Sequence, residues 1–302
     1  MKTNDSLIVC GTDFSAAAEE AAHTAAALAH RMGAKLLLVH AAESDGDGDA
    51  AEDLRKTADG LRTSGAQIDQ LIVDGAPDQA LGQVAVERHA RLIVVGAMGR
   101  SHRLLTGNIA TRVAESAAVP TLVVRHGDWI ARWAECRHPL RIVAADDLSL
   151  TGMAALRFLG EFAKLAPCDI TVAHVEWPPE ERTQFETEGP ISFSEDTPEV
   201  ERAMRLKLRE RTRAAFGDRE CVLRVVPRGG GIDASFTHVA SEARADLIVL
   251  GTHQRRLAER MRLGSVSRAI LASAHVNVLV VPPTPEATNA IPVEEGKVAA
   301  AA

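Results

Sequence analysis

"LIVCGTDFS", residues 7–15, lies without a gap on "RIVAADDLS", residues 141–149. Each is a short apolar run that ends at an acidic residue with serine two places on, so Asp13 stands over Asp147 and Ser15 over Ser149. At the same offset "KLLLVHA" (35–41) falls on "DITVAHV" (169–175), with His40 over His174. Further on, "ARLIVVG" (90–96) matches "ADLIVLG" (245–251), with Gly96 over Gly251. A chain of 302 residues has room for about two domains of roughly 150 residues. A repeat on this scale means one fold written twice. The second copy is the longer one, and the extra length is accounted for by "WPPEERTQFETEGPISFSEDTPE" (177–199), an acidic, proline-bearing run with no helical or strand period.

In both copies, continuous apolar β-branched runs alternate with helix-length Ala- and Leu-rich segments. In the first copy the expected strands are 7–11, 35–40, 68–73, 92–96 and 121–124. Such runs belong to parallel strands buried on both faces, which gives an α/β chain with two doubly wound, parallel, five-stranded sheets and helices on both sides. The first helix is well punctuated: Ser15 as N-cap, Glu19 and Glu20 in the early turns, Gly33 at the stop. The expected boundaries are domain 1 at 1–126, a linker with a helical turn at 127–139, domain 2 at 140–282 and a disordered tail at 283–302.

Composition narrows the function classes. A formal charge of -7, 3% aromatic residues and no Tyr oppose a nucleic-acid partner. No apolar run reaches the ~18 residues of a membrane span, and no signal-peptide pattern opens the chain, so a cytoplasmic setting is expected. Cys10, Cys136, Cys168 and Cys221 are scattered and read as free thiols. Asp45, Asp47 and Asp49 have calcium-like spacing, but Ala50 and Lys56 occupy the positions that need Gly and Glu, which leaves an acidic loop. "PRGGGIDAS" (227–235) reads as a turn, and "VERAMRLKLRERTRAAF" (200–216) as an amphipathic helix with a solvated charged face. His40 and His174 read as single strand-end histidines, not as metal ligands.

In a doubly wound sheet, ligands bind beyond the carboxyl ends of the strands. Asp13, His40, Gly75, Gly96 and Gly99 all fall there. "GAMGRSHRLLTGN" (96–108) carries two glycines and two arginines into a helix for which Asn108 is the expected N-cap, an arrangement suited to an anion. The second copy has "GTHQRRLAERMRLGS" (251–265), with Arg255, Arg256 and Arg262 in the loop. Asp13 and Asp147 also fit a plain turn-forming role, so both readings stay open.

Both halves resemble universal stress protein domains, from residue 7 to residue 282 apart from the linker and the insertion, and the chain resembles a tandem member of that family. Nucleotide-binding members carry G-x2-G-x9-G-[ST] after the fourth strand and "TDFS" after the first. The resemblance implies an adenine nucleotide hydrolase-like fold that binds ATP, with or without Mg2+. Asp13 and Asp147 would receive adenine or ribose, Ala41 and Val175 would touch the base through their backbones, and the glycine loops would hold phosphate. The loop residues so implied are Gly96, Gly99, Gly107 and Asn108 in the first half, and Gly251, Gly264, Ser265 and Val266 in the second. The resemblance also implies pairing through fifth strands, which a tandem chain can supply as an internal pseudo-dimer; homodimers and a protein partner are compatible with it.

Neither loop is complete. Seven residues separate Gly99 from Gly107, and Asn108 replaces the hydroxyl residue; in the second half Gln254 replaces the second glycine. Three functions from different classes follow: a non-catalytic ATP-binding switch in stress physiology, a nucleotide-free docking module, and an ATP-cleaving enzyme. Nothing supplies the enzyme's chemistry, because no S-G-G-x-D-S or G-x-x-x-x-G-K-[ST] loop is present. The first reading is favoured, with one competent site per chain. Placing the second half's residue in the first loop, Gly99→Gln, is expected to weaken ATP binding at least about tenfold, because a side chain costs roughly 1–2 kcal/mol in a left-handed position. An unchanged Kd by calorimetry would remove that loop from the account.

Overall fold

The structure is a computed structural model that describes residues 6–42, 49–97, 109–175, 198–226, 231–252, 255–257, 260–262 and 264–283. Strand β1 (Leu7–Gly11) is buried along nearly its whole length, as an apolar strand covered on both faces must be. Helix α1 (Ala16–Met32) follows. The Ser15 hydroxyl accepts from the Ala18 N–H at 3.2 Å, and Gly33 closes the helix in the left-handed conformation with φ 63°. Its sheet-facing side is mostly alanine (Ala18, Ala21, Ala22, Ala25, Ala26 and Ala29), so the helix can lie close on the strands.

The first half continues with β2 (Lys35–Ala42), α2 (Ala50–Gly60), β3 (Gln67–Asp74), α3 (Pro77–Glu87), β4 (Leu92–Gly96), α4 (Ile109–Ser116) and β5 (Thr121–Val124). Helix α5 (Gly127–Ala134) leads into the second half: β6 (Leu140–Ala145), α6 (Leu150–Phe162), β7 (Cys168–Val175), α7 (Pro198–Phe216), β8 (Val222–Val226), α8 (Ile232–Glu242) and β9 (Leu247–Gly251). A small ribbon, β10 (Arg255–Leu257) and β11 (Arg260–Arg262), precedes α9 (Ser265–Ser273) and β12 (Asn277–Val281).

The two five-stranded sheets join. One ten-stranded sheet runs β3-β2-β1-β4-β5-β12-β9-β6-β7-β8. Within each half the pairings are parallel, whereas β5 and β12 pair antiparallel, Leu122 opposite Leu279. Left alone, β5 and β12 would each present a row of unpaired N–H and C=O groups, and their pairing removes both edges. Because the seam is antiparallel, the carboxyl ends of the two sets of strands face opposite edges of the sheet. In each half the chain reverses direction of winding beside the first strand, between β1 and β4 and between β6 and β9, which places a crevice at each point.

Asn277 locks the seam. It is fully buried; its Oδ1 accepts from the N–H groups of Arg125 (2.8 Å) and His126 (3.0 Å), and its Nδ2 donates to the carbonyls of His126 (3.0 Å) and Asp246 (3.1 Å). Residues 127–139 are more than the linker with a helical turn that the sequence suggests. Glu20 caps α5 by accepting from the Gly127 N–H at 2.6 Å, and fully buried Trp133 stacks on Phe162 and donates to the Pro167 carbonyl at 2.8 Å. Aromatic burial, worth more than the freedom of a loop, turns this connection into a packed element. One apolar layer joins residues of α1, α2, α5, α6 and α7 to the sheet; the opposite layer joins α3, α4, α8 and α9 to it.

The expected 177–199 insertion ends earlier than its composition suggests, since Pro198 already opens α7, whereas 177–197 lie outside the described residues, as do 284–302 of the tail, 43–48 of the acidic loop and 227–230 of the glycine turn. Asn277→Ala leaves four backbone groups, at Arg125, His126 and Asp246, without their side-chain partner and is expected to lower stability by about 3 kcal/mol or more. Urea denaturation followed by circular dichroism measures this, and a loss below about 1 kcal/mol would remove the lock from the description.

Candidate functional site

The site is built on the turn that leaves β1. Thr12 N–H donates to the Val39 carbonyl (2.9 Å), and His40, buried at the end of β2, donates from Nδ1 to the Thr12 carbonyl at 2.9 Å. Thr12 Oγ1 accepts from the Phe14 N–H (3.1 Å), and Asp13 Oδ1 accepts from both the N–H (3.1 Å) and the hydroxyl (2.6 Å) of Ser15. These bonds hold Phe14 at φ 59°, a left-handed conformation that a bulky residue adopts only when its surroundings dictate it. Asp13 is therefore a turn former, and its place at the crevice comes in addition to that role.

The second half repeats the turn bond for bond. Asp146 N–H donates to the Ala173 carbonyl (3.0 Å), His174 Nδ1 donates to the Asp146 carbonyl (2.7 Å), and Leu148 stands at φ 62°. Asp147 Oδ1 accepts from Ser149 N–H at 3.0 Å and from its hydroxyl. His40 and His174 thus fix the peptide before each aspartate, and sequence reasoning had left them without this task.

In the first half Asp13, Ala41 and Gly96 come together in one cleft with Val39, Pro77, Leu81, Val95, Ile109 and Ala110. The last β1–β2 pair is Gly11 with Val39, so Ala41 lies beyond the end of β1 while still paired with Val73 of β3. The cleft is about 70 Å³, and Thr12 lines both it and a wider cleft of about 320 Å³ bounded by Phe14, Glu19, Asp53, Lys56 and Thr57. Gly99, Gly107 and Asn108, with Arg100 and Arg103, lie outside the described residues.

Packing alone requires glycine at positions 96 and 251. A Cβ on Gly96 would stand 2.5 Å from the Ala17 carbonyl oxygen, and one on Gly251 would stand 2.6 Å from that of Thr151. Each strand end packs against the first turn of the helix beside it, and neither glycine is needed for a left-handed turn. Val175 ends β7 beyond the last β6–β7 pair, Ala145 with Ala173. Gly264 caps α9 with φ -61°, Ser265 and Val266 begin the helix, and the preceding loop folds as the β10–β11 ribbon with Arg255 opposite Arg262. Gln254 lies outside the described residues.

Among the described residues the halves depart in one further place that sequence reasoning did not find. Asp146 stands where the first half has Thr12, and its fully buried carboxylate receives Arg211 of α7, Nε to Oδ2 at 2.6 Å and Nη2 to Oδ1 at 2.7 Å. Nη2 also donates to the Ser149 carbonyl at 2.7 Å. The charged face of α7 is therefore not wholly solvated: Arg211 turns inward beside buried Leu208 and Thr212. A Cβ on Gly152 would collide with Asp146 Oδ1, and would lie 2.7 Å from Asp147 Oδ1 and 3.3 Å from Arg211 Nη2. The signal was the first aspartate of "ADDLS", Asp146, where the first half has Thr12.

Two thiols near the core are poor nucleophiles: burial pushes Cys10 up to about 12 and Cys168 up to about 11, the latter against the pull of Arg219. No group of three or more His, Cys, Asp or Glu among the described residues is placed to hold a metal ion.

The model of the universal stress protein family matches residues 7–125 and again 140–282. A Thermus aquaticus protein, the universal stress protein in the QAH/OAS sulfhydrylase 3' region, is 34% identical over 134 residues, 39% of this chain and 97% of its own length. Among solved structures, a universal stress protein from Archaeoglobus fulgidus is 14% identical with a TM-score of 0.65, covering 94% of this chain and 100% of its own. A putative universal stress protein from Pseudomonas aeruginosa UCBPP-PA14 is 18% identical with a TM-score of 0.61, covering 94% and 95%. At these identities the two structures establish the fold.

Removing one member of a buried pair leaves the other charge uncompensated, so Arg211→Met is expected to cost about 3–5 kcal/mol in chemical denaturation. Asp146→Asn added to it should recover part of that loss; a strictly additive double variant would show that the two side chains do not act as a pair.

Proposed function

This chain belongs to the universal stress protein family and carries the family's domain twice, and from that premise we propose that it binds one ATP per chain, in the first-half crevice, as a non-catalytic switch. The observation that carries the reading is the meeting of Asp13, Ala41 and Gly96 in a cleft at the point where the first sheet reverses its winding. The residues fit the base end of a nucleotide. Val39, Leu81, Val95 and Ile109 offer apolar walls, Ala41 lies past the end of β1, and Asp13 lines the cleft on a turn fixed by five hydrogen bonds. The cleft seats only part of the ligand; Gly99, Gly107 and Asn108, to which the family resemblance gives the phosphates, lie outside the described residues.

When bound, ATP would supply a polyanion whose hydrolysis this chain has no described group to promote. Conformation or partner contacts would then be the output. Mg2+, a second copy of the chain and a protein partner in the cytoplasm are compatible with this reading, and no step here depends on them. No helix among the described residues is long and apolar enough to cross a membrane.

Titration of nucleotide-stripped protein with ATP, with and without Mg2+, is expected to give one site per chain. Asp13→Asn keeps the acceptor that serves Ser15 but removes the charge, and should weaken ATP by about tenfold, the ~1.4 kcal/mol that separates a charge-assisted from a neutral hydrogen bond. If neither calorimetry nor equilibrium dialysis detects binding, the chain is a nucleotide-free docking module.

A further inference from the structure

The two halves can be matched beyond their strands. Buried Ala50, Leu54 and Ala58 of α2 recur in rhythm as Met204, Leu208 and Thr212 of α7, and the turns after β1 and β6 share their hydrogen bonds. In this match Thr12 falls on Asp146, Ala18 on Gly152 and Thr57 on Arg211. Thr12 and Asp146 do the same local work, since each accepts from the N–H two residues on, Phe14 or Leu148. The carboxylate has a second oxygen to spare, and Arg211 takes both.

The three differences depend on one another. Arg211 without Asp146 would bring an unpaired guanidinium inward, and Asp146 without Arg211 would be a buried carboxylate without its counter-charge. The paired arrangement leaves no room for a methyl at position 152, where Asp146 Oδ1, Asp147 Oδ1 and Arg211 Nη2 converge. In the first half the corresponding methyl, that of Ala18, is part of the cleft wall, and the space beside Thr12 and Thr57 is open. In the second, the chain's own guanidinium stands beside Asp147, the carboxylate in the place of Asp13.

We infer that the exchange of Thr12, Ala18 and Thr57 for Asp146, Gly152 and Arg211 decides which half takes the ligand: it pins α7 to the turn that carries Asp147 and sets a guanidinium where the first half keeps an open cleft beside Thr12 and Thr57. This rests on the reading of the first crevice as a nucleotide site and names the residues that confine the nucleotide to it. The two crevices face opposite edges of the sheet, so the pair in one does not obstruct the other.

The test exchanges the three residues between halves in the full-length chain. Thr12→Asp/Ala18→Gly/Thr57→Arg is expected to take ATP binding from one per chain to none with unchanged circular dichroism. Asp146→Thr/Gly152→Ala/Arg211→Thr is expected to raise it from one to two, the added site at least about tenfold weaker than the first because Gln254 remains in its loop. A second-half exchange that stays at one, or a first-half exchange that still binds, overturns the inference. Hydrogen exchange, read by mass spectrometry without nucleotide, judges the pinning separately. Peptides over 145–152 should exchange at least about tenfold more slowly than those over 11–18, and the second-half exchange should abolish the difference. Equal rates in the wild-type chain overturn the inference even if ATP binds. If the wild-type chain binds no ATP while the rates differ as stated, the nucleotide reading falls and the pinning stands.

Discussion

Two strand edges that cannot stay unpaired govern this molecule. β5 and β12 each end a five-stranded sheet, and each would expose a row of backbone donors and acceptors. Their antiparallel pairing turns two domains into one ten-stranded sheet. Everything else respects that seam. Asn277 satisfies the backbone where the chain leaves β5, α5 packs with α1 and α6 in the layer beside it, and Arg268 of α9 reaches Glu115 of α4 at 2.7 Å. The same pairing sets the crevices at opposite edges, so a ligand in one is not completed by residues of the other. Each half must succeed or fail with its own side chains.

The local physics of the two crevices is nearly identical up to one shell of residues. Both turns hold a bulky residue at positive φ by a side-chain oxygen, an aspartate and a buried histidine. Thereafter they diverge by a hydroxyl pair in one half and an ion pair in the other. A buried ion pair gains little over a well-packed apolar alternative, because desolvation offsets the attraction. Its presence is better understood as a constraint on position: it fixes α7 against the turn in the second half, whereas α2 in the first half stands off across an open cleft.

Much of this was legible in the sequence. The repeat, the buried strands, and the Ser15 and Gly33 caps depend on local pattern, and local pattern is what a sequence displays. Strand order and the seam were not legible as geometry, since pairing partners lie far apart in the chain. α5 was read only as a helical turn within the linker because its Ile130 and Trp133 are interleaved with charged and small residues, although their three-residue spacing is a helical signal. Gly96 and Gly251 entered the sequence reading as members of the implied phosphate loops, and the fold adds that each makes room for the backbone of the neighbouring helix. Arg211 was hidden among the many charges of α7. Its position three residues after Leu208 puts it on the flank of the buried stripe, and only the fold shows that Asp146 waits there.

The Asp146–Arg211 pair, standing where the first half keeps an open cleft, confines the nucleotide to the first half: that is the central claim, and a crystal structure of the chain grown with ATP tests it most directly. The account predicts nucleotide density against Asp13 and Ala41 alone, with Arg211 still seated on Asp146. Density in the second crevice, or Arg211 displaced from Asp146 to admit it, would contradict the account.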